Sequence, residues 1–295
     1  MLANGRPGPM LEVLETIEAM RAAAREWQRQ GHRIALVPTM GSLHQGHLAL
    51  VDQAHREADR VVVSIFVNPL QFGPNEDLVR YPRTFDQDRA RLEEGAACAL
   101  FYPSAQEMYP EGRSQTIVVV DHLSRILCGV ARPGHFAGVT TVVAKLFNII
   151  EPDVAVFGEK DWQQLTIVKH MVRDLNSPVR VVGVPTVRET SGLALSSRNK
   201  YLSLEQHEAA PALYRGLLRA QEHWRAGERD REVMRQVVTD SITAVGISCE
   251  YVAVVDPDTL SESPRTLSGP TLIALAAHLG KTRLIDNILL EETQD

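Results

Sequence analysis

The run Val61-Val-Val-Ser-Ile-Phe-Val67 constrains the fold more than any other stretch of the chain. Seven residues long, rich in β-branched side chains and almost wholly apolar, it predicts a strand with no face turned to water. Such a strand belongs in a parallel sheet covered by helices on both sides. The surrounding sequence supplies that cover. Spacings of three and four between Leu14, Ile17, Met20, Ala24 and Trp27 predict a helix from about Leu11 to Gln30, ended by Gly31. Strands at Arg33–Pro38, Cys98–Tyr102, Val154–Phe157 and Val179–Val184 then alternate with helices at Gly46–Ala58, from Phe85, at Phe136–Ile150 and at Trp162–Leu175.

This alternation sets the expected fold class as α/β, a Rossmann-like doubly wound parallel sheet. From about residue 190 the texture changes. Helical stretches over Leu204–Ala226 and Glu228–Val245 precede the strand-like runs Tyr251–Val255, Thr271–Leu279 and Thr282–Leu290, which predicts a smaller α+β C-terminal domain. The 295 residues thus divide into 1–186 and 187–295, with Gly183–Ser203 as the joint.

Charge narrows the function classes. With 31 Lys and Arg against 37 Asp and Glu, the formal net charge is −6, which argues against a chain that coats nucleic acid or an anionic membrane. Cys98, Cys128 and Cys249 are far apart and form neither a disulfide framework nor a C-x-x-C zinc pair, so a reducing cytoplasm is the expected compartment. Met1–Pro9 lacks the apolar core of a secretory signal, and Lys145 interrupts the apolar stretch 136–150, so neither export nor a bilayer span is expected.

In an open parallel sheet, ligands bind outside the carboxyl ends of the strands. The loops after Val37, Val67, Phe157 and Val184 are therefore the informative ones. The first, Pro38-Thr-Met-Gly41-Ser-Leu-His44-Gln-Gly46-His47, carries two histidines where a strand turns into a helix. Helix N-termini favour anions, Gly41 and Gly46 let the backbone come close, and each imidazole can donate to a phosphate oxygen. One histidine alone would be read as a surface or capping residue. H-x-G-H in this setting points to phosphate, and no nearby ligands complete a zinc site.

The second loop, Asn68-Pro-Leu-Gln71-Phe-Gly73, offers amides that suit a carboxylate or hydroxyl, although such amides in loops usually serve local turns. Asp86-Gln87-Asp88 opens a helix, where acids are favoured by the helix dipole; a magnesium contact at Asp88 is the minority alternative. In Gly158-Glu159-Lys160-Asp161, glycine permits close approach, lysine can reach a phosphate and aspartate can accept from ribose hydroxyls, with Gln164 one turn further on. A solvated, capped turn is the plain alternative. Ser196-Ser197-Arg198, beyond Gly192, could clamp a triphosphate through two hydroxyls and a guanidinium.

Together Pro38–His47, Phe66–Gly73, Arg80–Thr84, Arg132–Phe136, Phe157–Gln164, Gly183–Val187, Gly192–Asn199 and Thr282–Asn287 resemble the pantoate–β-alanine ligase family over nearly the whole chain. His44–His47 also resembles the H-x-G-H signature shared with class I aminoacyl-tRNA synthetases and other nucleotidylyltransferases. The resemblance implies ATP-dependent condensation of (R)-pantoate with β-alanine through a pantoyl adenylate, releasing AMP and pyrophosphate, with Mg2+ and in a homodimer. It implies an ATP site formed by Met40, Gly41, Ser42, Leu43, His44, Gln45, Gly46 and His47, with His47 as proton donor. Gly158, Glu159, Lys160, Asp161, Val187, Leu195, Ser196, Ser197 and Arg198 surround the same nucleotide. His44, Lys160 and Arg198 share the catalytic charge with His47, and Gln71, Gln164, Asn68 and Met40 hold pantoate, with Gln71 also near β-alanine. Ser191 departs from the family pattern, in which an acidic residue commonly precedes Gly192. The rival readings are another nucleotidylyltransferase or tRNA-charging enzyme, against which the acidic balance argues, and a non-catalytic nucleotide binder.

Overall fold

The computed structural model describes residues 11–292 except Asn75, Ala96 and Cys98. Cys98, and the Met1–Pro9 stretch read above, lie outside the described residues. In chain order the elements begin with β1 (Glu12–Leu14), α1 (Ile17–Arg29), β2 (Ile34–Thr39), α2 (Gln45–Glu57), β3 (Arg60–Ile65), α3 (Phe85–Glu94), β4 (Ala99–Phe101) and α4 (Ala105–Met108). They continue with α5 (Cys128–Ala131), α6 (His135–Ile150), β5 (Val154–Gly158), α7 (Trp162–Asp174) and β6 (Arg180–Val184). The last part holds α8 (Leu204–Ala209), α9 (Ala212–Arg225), α10 (Arg231–Thr243), β7 (Ser248–Val255), β8 (Thr271–Leu279) and β9 (Thr282–Leu290).

Six strands form an all-parallel sheet in the order β1-β4-β3-β2-β5-β6. From β2 the chain winds outward through β3 on one side and through β5 on the other, so the order reverses between β2 and β5. That reversal opens a crevice at the carboxyl ends of these two strands. The Rossmann-like class is the observed one. β3 is buried on both faces from Val61 to Ile65, as an almost wholly apolar strand in a doubly covered sheet must be.

The expected helix from Leu11 is corrected at its start. Leu14 lies in β1, paired with Phe101, and α1 begins only at Ile17 because the Thr16 hydroxyl accepts the Ala19 N–H as an N-cap. The stretch Leu204–Ala226 is likewise two helices. Pro211 cannot continue a helical hydrogen-bond ladder, and the break falls there.

The chain divides into two compact units. The first gathers residues up to 124, 132–158 and 167–184, and so contains the parallel sheet. The second gathers residues 125–131, 159–166 and 185–295. Its antiparallel sheet, β7-β8-β9, packs Ile273, Leu275, Leu284 and Leu290 with Leu213, Leu217 and Trp224 of α9 and Met234 and Val238 of α10. A single cut at residue 186 would miss two short excursions into this unit. Trp162 Nε1 donates to Pro257 O at 2.9 Å, and the Cys128 thiol lies 3.1 Å from the Tyr251 hydroxyl, which ties residues 159–166 and 125–131 to the second core.

Candidate active site

Between β2 and α2 the backbone turns through Gly41 at φ +82° and Ser42 at φ +51°. Glycine is required at the first: a Cβ there would stand 3.0 Å from Ile65 Cγ2 and 3.2 Å from Asp88 Oδ2. Asp88, buried in α3, accepts the Ser42 N–H at 2.8 Å on Oδ2 and the Leu43 N–H at 2.7 Å on Oδ1. Thr84 donates to Oδ2 at 3.1 Å, and Arg91 donates to the Leu43 carbonyl. The magnesium contact considered for Asp88 gives way to this arrangement, because both carboxylate oxygens hold the loop. Ser42 and Leu43 are correspondingly buried beneath it, while Met40, His44 and His47 are half-buried and Gln45 is exposed. Asp88→Ala leaves two buried N–H groups without an acceptor and should lower stability by about 2 kcal/mol. The check is the midpoint of urea denaturation; an unchanged midpoint would mean that the loop holds itself.

His44 is the N-cap of α2, and its N–H donates to His47 Nδ1 at 3.2 Å. The two rings lie 4.1 Å apart, centroid to centroid. Because a backbone N–H can only donate, Nδ1 of His47 must be the acceptor. The neutral ring therefore carries its proton on Nε2.

The loop after β3 brings Asn68 and Gln71 beside Met40, whose Sδ accepts from Gln71 Nε2 at 2.8 Å. Gln71 is also held through its backbone. Its carbonyl accepts from His135 Nδ1 at 2.8 Å, and His135 Nε2 accepts from Arg132 Nη1 at 2.9 Å. Arg132 in turn grips Glu76 through Nε at 2.7 Å and Nη2 at 2.6 Å. Burial opposes the ionisation of Glu76, but the Arg132 hydrogen bonds outweigh it and hold the carboxyl below its usual range.

The remaining predicted residues, apart from Gly158 at the end of β5, belong to the second unit. Glu159–Asp161 form a single 3-10 turn directly after β5, and Gln164 is half-buried in the first turn of α7. Asn287 Nδ2 donates to the carbonyls of Glu159 at 2.9 Å and Lys160 at 3.0 Å, fixing the turn that bears the lysine. The next residue back, Asp286, pairs in two-pronged fashion with Arg188 at 2.6 and 2.8 Å. Arg188 also stacks on Tyr214 at 3.5 Å and donates to the Gly192 carbonyl at 3.2 Å. Leu195 N–H closes onto Val187 O at 3.0 Å, so Val187 and Leu195 form the base of a tight turn whose tip is Gly192 at φ +92°. Ser191 Oγ accepts the Leu193 N–H at 3.3 Å, so the hydroxyl serves that turn itself. Beyond it, the Ser196 hydroxyl accepts from the Arg198 N–H at 3.3 Å and caps a short helical turn over Ser197–Tyr201.

Sheet order and the loops at its reversal point define a Rossmann-like α/β enzyme. The family model described as pantoate–β-alanine ligase matches residues 12–289, and the chain belongs to that family. It is a ligase of pantothenate biosynthesis. It is 53% identical to the pantothenate synthetase of Heliobacterium modesticaldum, over 95% of this chain and 100% of that one. A crystal structure of the Thermus thermophilus pantothenate synthetase matches at 47% identity with TM-score 0.89, covering 94% of this chain and 99% of the other. The Francisella tularensis pantoate–β-alanine ligase, complexed with beta-gamma ATP and β-alanine, matches at 36% identity with TM-score 0.78, covering 95% and 97%. Among the described residues, no helix is long and apolar enough to cross a membrane.

Arg188, Asp286 and Asn287 carried no assigned role in the sequence reading, nor did Tyr109. The signal was present for one of them: Asp286 interrupts an apolar strand pattern, and a charge in such a place needs a partner.

Proposed function

We propose that this enzyme makes pantothenate in two steps through a pantoyl adenylate. A carboxylate is a poor electrophile because its leaving group would be an oxide. A pantoate carboxylate oxygen therefore attacks the α-phosphorus of ATP, the bond to the bridging oxygen breaks, and pyrophosphate leaves with its electron pair. The unprotonated amine of β-alanine then attacks the acyl carbon. AMP departs, the amine's surplus proton passes to solvent, and an amide remains.

One observation carries the reading: the His44–His47 pair at the start of α2, with the His47 proton placed on Nε2 by the His44 N–H. That proton is a donor for a phosphate oxygen beside the positive end of a helix. On this reading His44, Lys160 and Arg198 share the neutralisation of the phosphates. Met40–His47, Gly158–Asp161, Val187 and Leu195–Arg198 surround the nucleotide, and Gln71, Gln164 and Met40 hold pantoate. Magnesium enters as part of the ATP substrate. Among the described residues, no group of three His, Cys, Asp or Glu could hold an ion. Homodimer assembly and a cytoplasmic location belong to the same proposal.

The test is one assay with ATP, Mg2+ and pantoate, with and without β-alanine. Pantoate alone should support ATP–pyrophosphate exchange, and AMP and pantothenate should accumulate together once β-alanine is added. ADP in place of AMP would rule out the adenylate.

A further inference from the structure

Asn68 is 1% exposed, and its amide is saturated. Oδ1 accepts from the Tyr109 hydroxyl at 2.9 Å and the Leu70 N–H at 3.3 Å. Nδ2 donates to the Gly138 carbonyl at 3.0 Å and to Gln71 Oε1 at 3.2 Å. An amide offers two donors and two acceptor lone pairs, so nothing is left over for a ligand. Two of these partners are backbone groups of fixed polarity, and together with the Tyr109 hydroxyl they set the orientation of the Asn68 amide. With a donor facing it, Gln71 turns Oε1 towards Asn68 and Nε2 away, onto the Met40 thioether. A thioether is a weak acceptor that a substrate oxygen readily replaces.

The support under Asn68 is rigid. Gly138 admits no side chain, since a Cβ would lie 2.3 Å from the Leu70 carbonyl. Tyr109 is 2% exposed, its ring lies 5.4 Å from the Lys145 ammonium, and burial pushes its pKa up to about 12. Its hydroxyl therefore keeps its proton throughout the neutral range and acts as a donor to Asn68.

We propose that Asn68 and Tyr109 are positioning residues that never touch substrate but lock the Gln71 amide, so that its N–H groups face pantoate and the subsite demands an oxygen acceptor. The proposal rests on the reading of Gln71 as a pantoate ligand. It reassigns Asn68 from holding pantoate to orienting the residue that does.

Initial rates with pantoate varied would test it on Gln71→Ala, Tyr109→Phe, the double variant and Asn68→Asp. Tyr109→Phe should raise the pantoate KM about five- to tenfold, with smaller changes in kcat and in the ATP KM. The same substitution should add nothing in the Gln71→Ala background, because the relay then has no end. Asn68→Asp keeps the acceptor oxygens but draws the Gln71 N–H groups towards itself. It should raise the pantoate KM at least as much, and it tests the relay even where Tyr109→Phe does not fold. A wild-type pantoate KM in Tyr109→Phe, or additive effects in the double variant, with Gln71→Ala impaired, overturns the relay alone. An unchanged pantoate KM in Gln71→Ala overturns the reading of the subsite, and the proposal with it.

Discussion

Replacing His47 with alanine should slow pantoate-dependent ATP–pyrophosphate exchange by about 10²–10³-fold while the protein stays folded. The factor corresponds to roughly 2.7–4 kcal/mol, the effect of removing one preorganised donor from a site where anionic charge develops. Folding should survive because the ring is half-buried and because α2 keeps its own start. The His47 N–H still bonds to the His44 carbonyl at 2.8 Å, and Asp88 still holds the turn before it. The side-chain bond from the His44 N–H and the contact with the His44 ring are lost at an end of the helix that water reaches. Lys160→Ala should slow the same exchange by a similar factor, since the turn that carries it is fixed by Asn287 through backbone carbonyls and outlasts the loss of the ammonium. The two variants should differ from a mere folding defect by keeping the wild-type circular dichroism spectrum and melting midpoint. Full exchange activity in either one removes the role assigned to that residue.

The sheet was legible because its strands are long, apolar and separated by periodic helices. The core of β3 and the whole of β8 and β9 fall where their sequences place them. β1 was not legible. Three residues give too little alternation to compete with a helical repeat, and Leu14 shares its spacing with the face of α1 by coincidence. At the candidate site, each loop carries residue types with exposed chemistry at a strand end. What could not be read was the support. Asp88 has the look of a helix-dipole acid, and only the fold shows that its oxygens face Ser42 and Leu43 across 45 residues or more of chain. Asn68 has the look of a substrate amide, and only the fold reveals its four hydrogen-bond partners. Leu70 and Gln71 are near in sequence, whereas Tyr109 and Gly138 come from distant parts of the chain. Long-range hydrogen bonds of this kind leave no periodic mark on a sequence.

Asp286→Ala should produce the largest loss of stability of any single substitution considered, about 3–5 kcal/mol, because it strands a half-buried guanidinium. The Asp286 side chain is 2% exposed and that of Arg188 is 15% exposed, so water screens the pair little. The carboxylate takes two N–H groups of Arg188 and also accepts the Asn287 N–H at 2.8 Å, and alanine can replace none of these bonds. Partial relief comes from the Tyr214 ring and the Gly192 carbonyl, which remain available to Arg188. That relief places the expected loss nearer the lower end of the range. Arg188→Ala alone should cost a comparable amount by leaving the carboxylate buried without its cation. The double variant should therefore be less destabilised than the sum of the two, which separates a coupled ion pair from two independent packing contacts. The effect should reach the chemistry as well. Arg188 adjoins Val187, Asn287 holds the Lys160 turn, and both lean on Asp286, so nucleotide affinity should fall along with the melting midpoint. A wild-type midpoint in Asp286→Ala would show that the turn from Val187 to Leu195 is held by its own backbone bonds and that the ion pair is dispensable.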